Sequence, residues 1–185
     1  MADGTLKVGT ITTSSGSGTI TLGQSGETLA LGSGVTSQFN QPAFHAYLSA
    51  TQTISNDTVT VVQFNTESFD TDSAYDNSTY RFTPQTAGKY YVYAGILHNP
   101  SSSNNIQQAS IFIRKNGTDI TENFFASSTN PADSLTVVNS IIVDLNGSSD
   151  YVDVVGQQAV SSGTNRFSGD STKSRTYFGA YRIGA

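Results

Sequence analysis

Short apolar-rich runs separated by clusters of turn residues dominate the chain from Pro42 onward. Runs rich in Val, Ile, Thr, Tyr and Phe are typical of β-strands, and Asn116-Gly117 and Asn146-Gly147 favour tight turns. We find no run with the 3.6-residue period and the caps that a helix requires. The pattern therefore predicts an all-β sandwich or barrel. The predicted strands cover residues 44–50, 58–64, 80–83, 89–97, 109–114, 120–125, 135–145, 151–156 and 175–183.

The predicted strand 89–97 is apolar on both faces. Its odd positions, among them Tyr91, Tyr93 and Leu97, are as apolar as its even positions. Because successive side chains of a strand point to opposite faces, neither face is expected to contact water. A second sheet covers only one face, so we expect a neighbouring subunit to cover the other. The last predicted strand has the same character, with Tyr177 opposite Phe178.

The first forty residues carry a nine-residue repeat. Thr-x-x-x segments at 10–13, 19–22 and 28–31 are separated by glycine-rich turns. Each copy offers few apolar side chains, too few to offset the chain entropy of a lone strand. The repeat predicts a fibrous β shaft wound with copies from partner chains, three in all; a flexible Gly/Ser linker is the alternative. The predicted shaft assembly residues are Ile11, Ile20, Leu22, Leu29 and Leu31.

We therefore expect two regions, a repetitive shaft at 1–41 and a globular domain at 42–185. The chain has 185 residues, 9 Lys+Arg against 14 Asp+Glu, and no cysteine. This composition excludes disulfide scaffolds and thiol chemistry, and it argues against nucleic acid as a partner. No apolar run is long enough for a membrane span, and the start MADGTLKVGT lacks the features of a secretory signal. We expect synthesis in a cytoplasm, without membrane insertion.

The globular region resembles the complement C1q domain and the related tumour-necrosis-factor jelly rolls. The family's spaced pattern of aromatic residues, Asn or Asp, and Gly-x-Tyr is matched without a gap. The matching positions are Phe64, Asp70, Tyr75, Phe82, Gly88 and Tyr90. Val92 and Ala94 depart from the aromatic residues of the family pattern. FHAYLSA at 44–50, IFIRKNG at 111–117 and YFGAYRI at 177–183 resemble the opening, middle and closing strands.

This resemblance implies a ten-strand jelly roll over residues 42–185 that assembles as a tight homotrimer through aromatic faces. Fold alone does not give function, so the role rests on architecture. A glycine-rich β shaft before a trimeric head looks like a bacteriophage appendage, either a fibre or a decoration protein. The predicted trimer interface, with the core behind it, consists of Tyr90, Tyr91, Tyr93, Leu97, Tyr177, Phe178 and Tyr181.

Catalytic chemistry has little support in the sequence. His45 and His98 have no identifiable catalytic partners, and we expect both to be ordinary packed or surface histidines. The densest acidic stretch favours a solvated loop, with a calcium site as the alternative because calcium takes several oxygen ligands. The calcium candidates are Glu67, Asp70, Asp72 and Asp76. We predict no enzyme activity and no obligatory cofactor; a depolymerase would rest on this acidic stretch alone.

Long polar segments between strands are candidates for binding, since loops on a rigid scaffold carry recognition. Arg166-Phe167 is the one place where the sequence predicts an exposed cation beside an exposed aromatic ring. The candidate ligand-loop residues are Asn99, Asn104, Asn130, Arg166 and Phe167. Solvated loops without a ligand are the simpler interpretation.

Two functional hypotheses of different classes follow. The first is a non-enzymatic homotrimeric virion protein that contacts other virion proteins through its N-terminal segment. Its head would brace the particle or attach to a host-surface glycan or protein. The second is a soluble bacterial lectin-like or calcium-dependent binding module, which predicts a saturable ligand for the globular region.

Overall fold

The computed structural model describes residues 41–102, 105–127 and 129–184, together with Ile11. The chain divides into two units, Met1–Phe39 and Asn40–Ala185. The predicted shaft lies outside the described residues apart from Ile11 and Gln41, whose side chains are exposed. Among the described residues no helix is long and apolar enough to cross a membrane.

Every regular element of the described region is a β-strand, because its Val-, Tyr- and Thr-rich runs are bounded by turn residues. The first six strands are β1 Ala43–Tyr47, β2 Gln52–Ile54, β3 Thr60–Val61, β4 Thr66–Asp70, β5 Tyr75–Asp76 and β6 Arg81–Phe82. The remaining strands are β7 Gly88–His98, β8 Ile106–Lys115, β9 Thr118–Ala126, β10 Leu135–Leu145, β11 Val152–Val160, β12 Asn165–Phe167 and β13 Tyr177–Gly184.

The strands form two antiparallel sheets. Sheet I has the order β2-β12-β7-β13-β1-β4, and β10 also pairs with β7 along its whole length. Sheet II has the order β5-β6-β11-β8-β9, and β3 also pairs with β11. Non-consecutive strands are neighbours in both sheets, as in Greek-key sandwiches. The predicted all-β class is confirmed.

Side chains from both sheets meet in one apolar core. The Phe44 ring from β1 stacks on Phe82 at 4.4 Å and on Tyr75 at 4.9 Å, and Phe178 meets it edge-on at 4.8 Å. The Tyr75 hydroxyl donates to the Phe64 carbonyl oxygen at 2.8 Å, so its polar end is satisfied inside the core. Burial raises the pKa of Tyr75, and the phenol stays neutral. The four aromatic residues of the family pattern are therefore core residues.

The long predicted strands are confirmed, whereas several short ones were missed. β10 has the predicted bounds, and β7 exceeds its prediction by one residue at each end. Asn116 and Gly117 both have positive φ, 53° and 79°, and they close the predicted hairpin between β8 and β9. β2, β4, β5 and β12 were not predicted. These strands are two to five residues long, and most of their residues are polar, so they lack the apolar alternation that marks a strand.

Candidate functional site

The outer face of sheet I is the most unusual surface of the described region. Its side chains align in three rows that cross the strands from β1 or β4 to β10. The middle row runs Phe69, His45, Gly179, Tyr93, Ser140. The flanking rows run Tyr47, Tyr177, Gly95, Val138 and Ala43, Tyr181, Tyr91, Ile142. None of these residues is Asp, Glu, Lys or Arg.

Two Tyr-x-Gly triplets interlock at the centre of this face. Tyr93-Ala94-Gly95 in β7 lies antiparallel to Tyr177-Phe178-Gly179 in β13, so each tyrosine is opposite the other triplet's glycine. A Cβ atom at Gly95 would lie 2.8 Å from the Tyr177 ring, and one at Gly179 would overlap the Tyr93 ring. Each glycine thus leaves room for a ring to lie over the sheet. This repeated triplet was available in the sequence as a signal, and sequence reasoning missed it.

His45 lies within the aromatic surface, between β4 and β13. Its ring is 5.9 Å from that of Tyr177, 6.0 Å from that of Tyr93 and 6.4 Å from that of Phe69. Its Nδ1 lies 3.2 Å from the Tyr93 hydroxyl. Burial lowers the pKa of His45 and raises that of Tyr93, so both groups are neutral at pH 7. The face is therefore uncharged across its middle row.

A groove of about 740 Å³ opens beside the tyrosines, toward the β10 edge. Its apolar walls come from Tyr91, Tyr93, Tyr177 and Tyr181, while β10 contributes Val138 and Ser140. Glu122 and Asn123 of β9 also line it, and the Asn123 side chain donates to the Val138 carbonyl oxygen at 2.7 Å. The groove is thus a mostly aromatic depression with polar groups on the β9 side.

The predicted interface residues divide between the two faces of sheet I. Tyr91, Tyr93, Leu97, Tyr177 and Tyr181 belong to the outer face, where Tyr181 is 46% exposed. Tyr90 and Phe178 are completely buried in the chain's own core. The outward set is available to a partner, and the inward set supports it from behind.

The acidic stretch is only partly the solvated loop that the sequence predicted, because residues 66–70 and 75–76 form strands. Glu67 and Asp70 lie on β4, where Asp70 accepts hydrogen bonds from the backbone N–H groups of Asp72 and Tyr75 at 3.2 and 2.8 Å. Asp76 accepts hydrogen bonds from Ser78 and Thr79, which lower its pKa to about 2. Within the described residues no group of three metal-ligating side chains comes together. The Asp70 and Asp76 carboxylates thus order the local chain.

The prediction of an exposed Arg166-Phe167 pair is wrong. Phe167 is completely buried, since β12 turns alternate side chains into the core, and its ring meets the His98 ring edge-on at 5.4 Å. Arg166 donates to the carbonyl oxygens of Asn99 and Pro100 at 3.1 and 2.7 Å, so it holds a neighbouring segment in place. Asn130 is exposed, and Asn104 lies outside the described residues.

His98 has no features of a catalytic histidine. It is completely buried at the end of β7, and neither ring nitrogen has a hydrogen-bond partner in the described structure. Burial lowers its pKa to about 3, so the imidazole is neutral at physiological pH. A buried ring without a polar partner acts as a packing residue, as the sequence predicted.

The comparisons with known proteins agree with this architecture. The C1q domain family matches residues 43–180. The structures of the globular domain of zebrafish complement 1qA and of Eiger TNF from S. frugiperda are similar, each at 16% identity with TM-scores of 0.52 and 0.55. They cover 77% and 78% of this chain and 97% and 92% of their own.

Murine APRIL is also similar, with a TM-score of 0.56 at 10% identity, covering 78% of this chain and all of its own. No curated protein matches the sequence. The fold is thus a jelly roll of the kind shared by C1q and tumour-necrosis-factor domains, and such domains are commonly trimeric and non-enzymatic. From its matched sequence and its two-sheet architecture, the chain belongs to the C1q domain family.

Proposed function

We propose that this protein is a non-enzymatic structural protein that assembles as a homotrimer through the outer face of sheet I. The observation that carries the proposal is the three-row face, which is aromatic or apolar at most positions and has no acidic or basic side chain. A contiguous apolar patch on a soluble domain marks an interaction surface. Burying Tyr91, Tyr181 and Ile142 against a second copy removes apolar surface from water, and none of these three side chains carries a charge.

The trimer would serve as a virion appendage of a bacteriophage, a fibre or a decoration protein. The nine-residue repeat within residues 10–31 supports this role, because repeated short strands gain stability by stacking with identical copies. The N-terminal segment would contact other virion proteins. The head would present its polar loops to a host-surface glycan or protein, or brace the particle, and three copies of a weak site would gain avidity.

Two measurements test the homotrimer and the virion role separately. Light scattering after size exclusion should give the full chain a mass three times its 19.6 kDa, independent of dilution through the micromolar range. A mass of one chain would overturn the assembly proposal and favour a lectin-like monomer. Immunogold labelling of particles purified from cells that make the chain should decorate virions. Label confined to the soluble fraction would overturn the appendage role and leave the trimer intact.

A further inference from the structure

The middle row of the tyrosine-bearing face has different ends. At the β4 edge it ends in Phe69, whose side chain is 49% exposed although it is a large apolar ring. At the β10 edge it ends in Ser140, a small exposed residue opposite Tyr93. One end therefore carries an exposed aromatic ring and the other a small side chain. Because Phe69 and Ser140 belong to the same cross-strand row, they lie at the same level along the strand direction.

The Ser140 end is the floor of a seat for an aromatic ring. Val138 and Ile142 flank Ser140 on β10, and they are 49% and 57% exposed. Tyr91 and Tyr93 border it on β7, with their rings 6.1 Å apart. Ser140, Val138, Tyr91 and Tyr93 also line the groove of about 740 Å³, which exceeds the volume that one phenyl ring needs. Exposed apolar walls around a small residue form a pocket of the kind that an anchor residue fills.

We propose that Phe69 of each subunit occupies the seat over Ser140 of the next subunit. This inference rests on the proposed homotrimer and specifies its contact as head-to-tail, between the β4 edge of one copy and the β10 half of another. A second copy is the occupant because the chain carries both halves of the contact on one face. Different surfaces that meet through a rotation close into a ring, whereas a two-fold dimer would pair each surface with itself.

Cysteine cross-linking of the full-length chain tests the pairing, because the chain has no cysteine of its own. Ser68→Cys places a thiol beside Phe69 and leaves the ring in place, and Ser140→Cys places one on the seat floor. Both residues are exposed. The double variant, treated with bismaleimidoethane, should give covalent trimers on a denaturing gel. Each single variant should give none, and an equimolar, re-equilibrated mixture of the two should give dimers.

The control joins Ser140→Cys to Ser55→Cys, an exposed serine beyond β2, and should give no linked species. Dimers from Ser68→Cys alone would overturn the head-to-tail contact and show a two-fold one. A double variant that is trimeric by light scattering yet unlinked would overturn the pairing and leave the proposed function standing. A monomeric wild-type chain would overturn both.

The ring itself is tested by truncation. Phe69→Ala should raise the dissociation constant of the trimer about tenfold or more, since a centrally seated aromatic anchor contributes strongly to binding. Val59→Ala removes an apolar side chain that is 50% exposed before β3 of sheet II, and it should change the dissociation constant less than about twofold. Equal effects of the two truncations would contradict the assignment of Phe69 as the anchor.

Discussion

The outer face of sheet II pairs its buried charge within the chain, whereas the outer face of sheet I leaves apolar side chains exposed. On sheet II the Asp153 carboxylate is buried, and Arg114 donates two hydrogen bonds to it at 2.8 and 2.7 Å. Arg81 lies 3.9 Å from the same carboxylate and stacks over the Tyr151 ring at 4.1 Å. On sheet I the three central rows of the outer face hold tyrosines, His45 and exposed apolar residues without a charge, and the exposed Lys89–Asp144 pair lies beyond them.

The difference shows which outer face has its buried and apolar groups satisfied within a single chain. A buried carboxylate is tolerated only when it is paired and hydrogen-bonded, and sheet II supplies both partners from its own strands. The aromatic face of sheet I leaves Val138, Ile142 and Tyr181 about half exposed, so within the described residues its apolar surface is only partly covered. The outer face of sheet I is thus the one suited to a partner.

The largest expected effect comes from placing a charge on that face. Ile142→Glu should convert the trimer into monomers at micromolar concentration, because each interface would then bury an unpaired carboxylate at a cost of several kcal/mol. Val59→Glu is the matched control, because Val59 is 50% exposed but precedes β3 of sheet II. This variant should keep the mass of a trimer. Light scattering measures the mass of both variants. A trimeric Ile142→Glu protein with native circular dichroism would contradict the assignment of the face.

The sequence was informative where a strand is long and its two faces are both apolar. β7 was predicted from its Tyr- and Val-rich run, and the outward position of Tyr91 and Tyr93 follows from the period of two of a strand. The spacing from Phe64 to Tyr90 indicated the fold through its resemblance to the C1q family pattern, and the structure buries those aromatic residues in the core. The first inference depends on local pattern, and the second on the resemblance to a family pattern.

The missed features depend on neighbours that are distant in the chain. Phe69 sits in the polar run Thr66–Asp70, and only the pairing of β4 with β1 places it at the end of the aromatic row. Phe167 follows Arg166 in a polar segment, and its burial results from the pairing of β12 with β2 and β7. Short strands gain their stability from such pairing rather than from propensity, so the sequence alone does not mark them.

A smaller effect is expected from breaking the pair on sheet II. Arg114→Met should lower the free energy of unfolding by about 3 kcal/mol, since it leaves the buried Asp153 with only the more distant Arg81. Arg175→Met is the control, because Arg175 forms a more exposed ion pair with Asp170, at 3.1 Å. Its loss of unfolding free energy should stay below about 1 kcal/mol. Urea unfolding at fixed protein concentration measures both, and the mass should remain trimeric. Equal losses in the free energy of unfolding would show that the Arg114–Asp153 pair contributes no more to stability than a surface pair.

The smallest effect expected is that of one methyl group beneath a tyrosine. Gly179→Ala would place a Cβ against the Tyr93 ring and 2.9 Å from the Phe44 carbonyl oxygen, so ring or backbone must shift. Such overpacking costs about 1–3 kcal/mol. The displaced ring would also disturb the middle row, so trimer affinity should fall together with stability. Gly184→Ala lies on the same strand with nothing within 4 Å, and it should change neither quantity beyond about 0.5 kcal/mol. Urea unfolding measures stability, and light scattering on dilution measures trimer affinity. Equal values for Gly179→Ala and Gly184→Ala in both would contradict the role of the interlocked Tyr-x-Gly triplets in positioning the tyrosine rings.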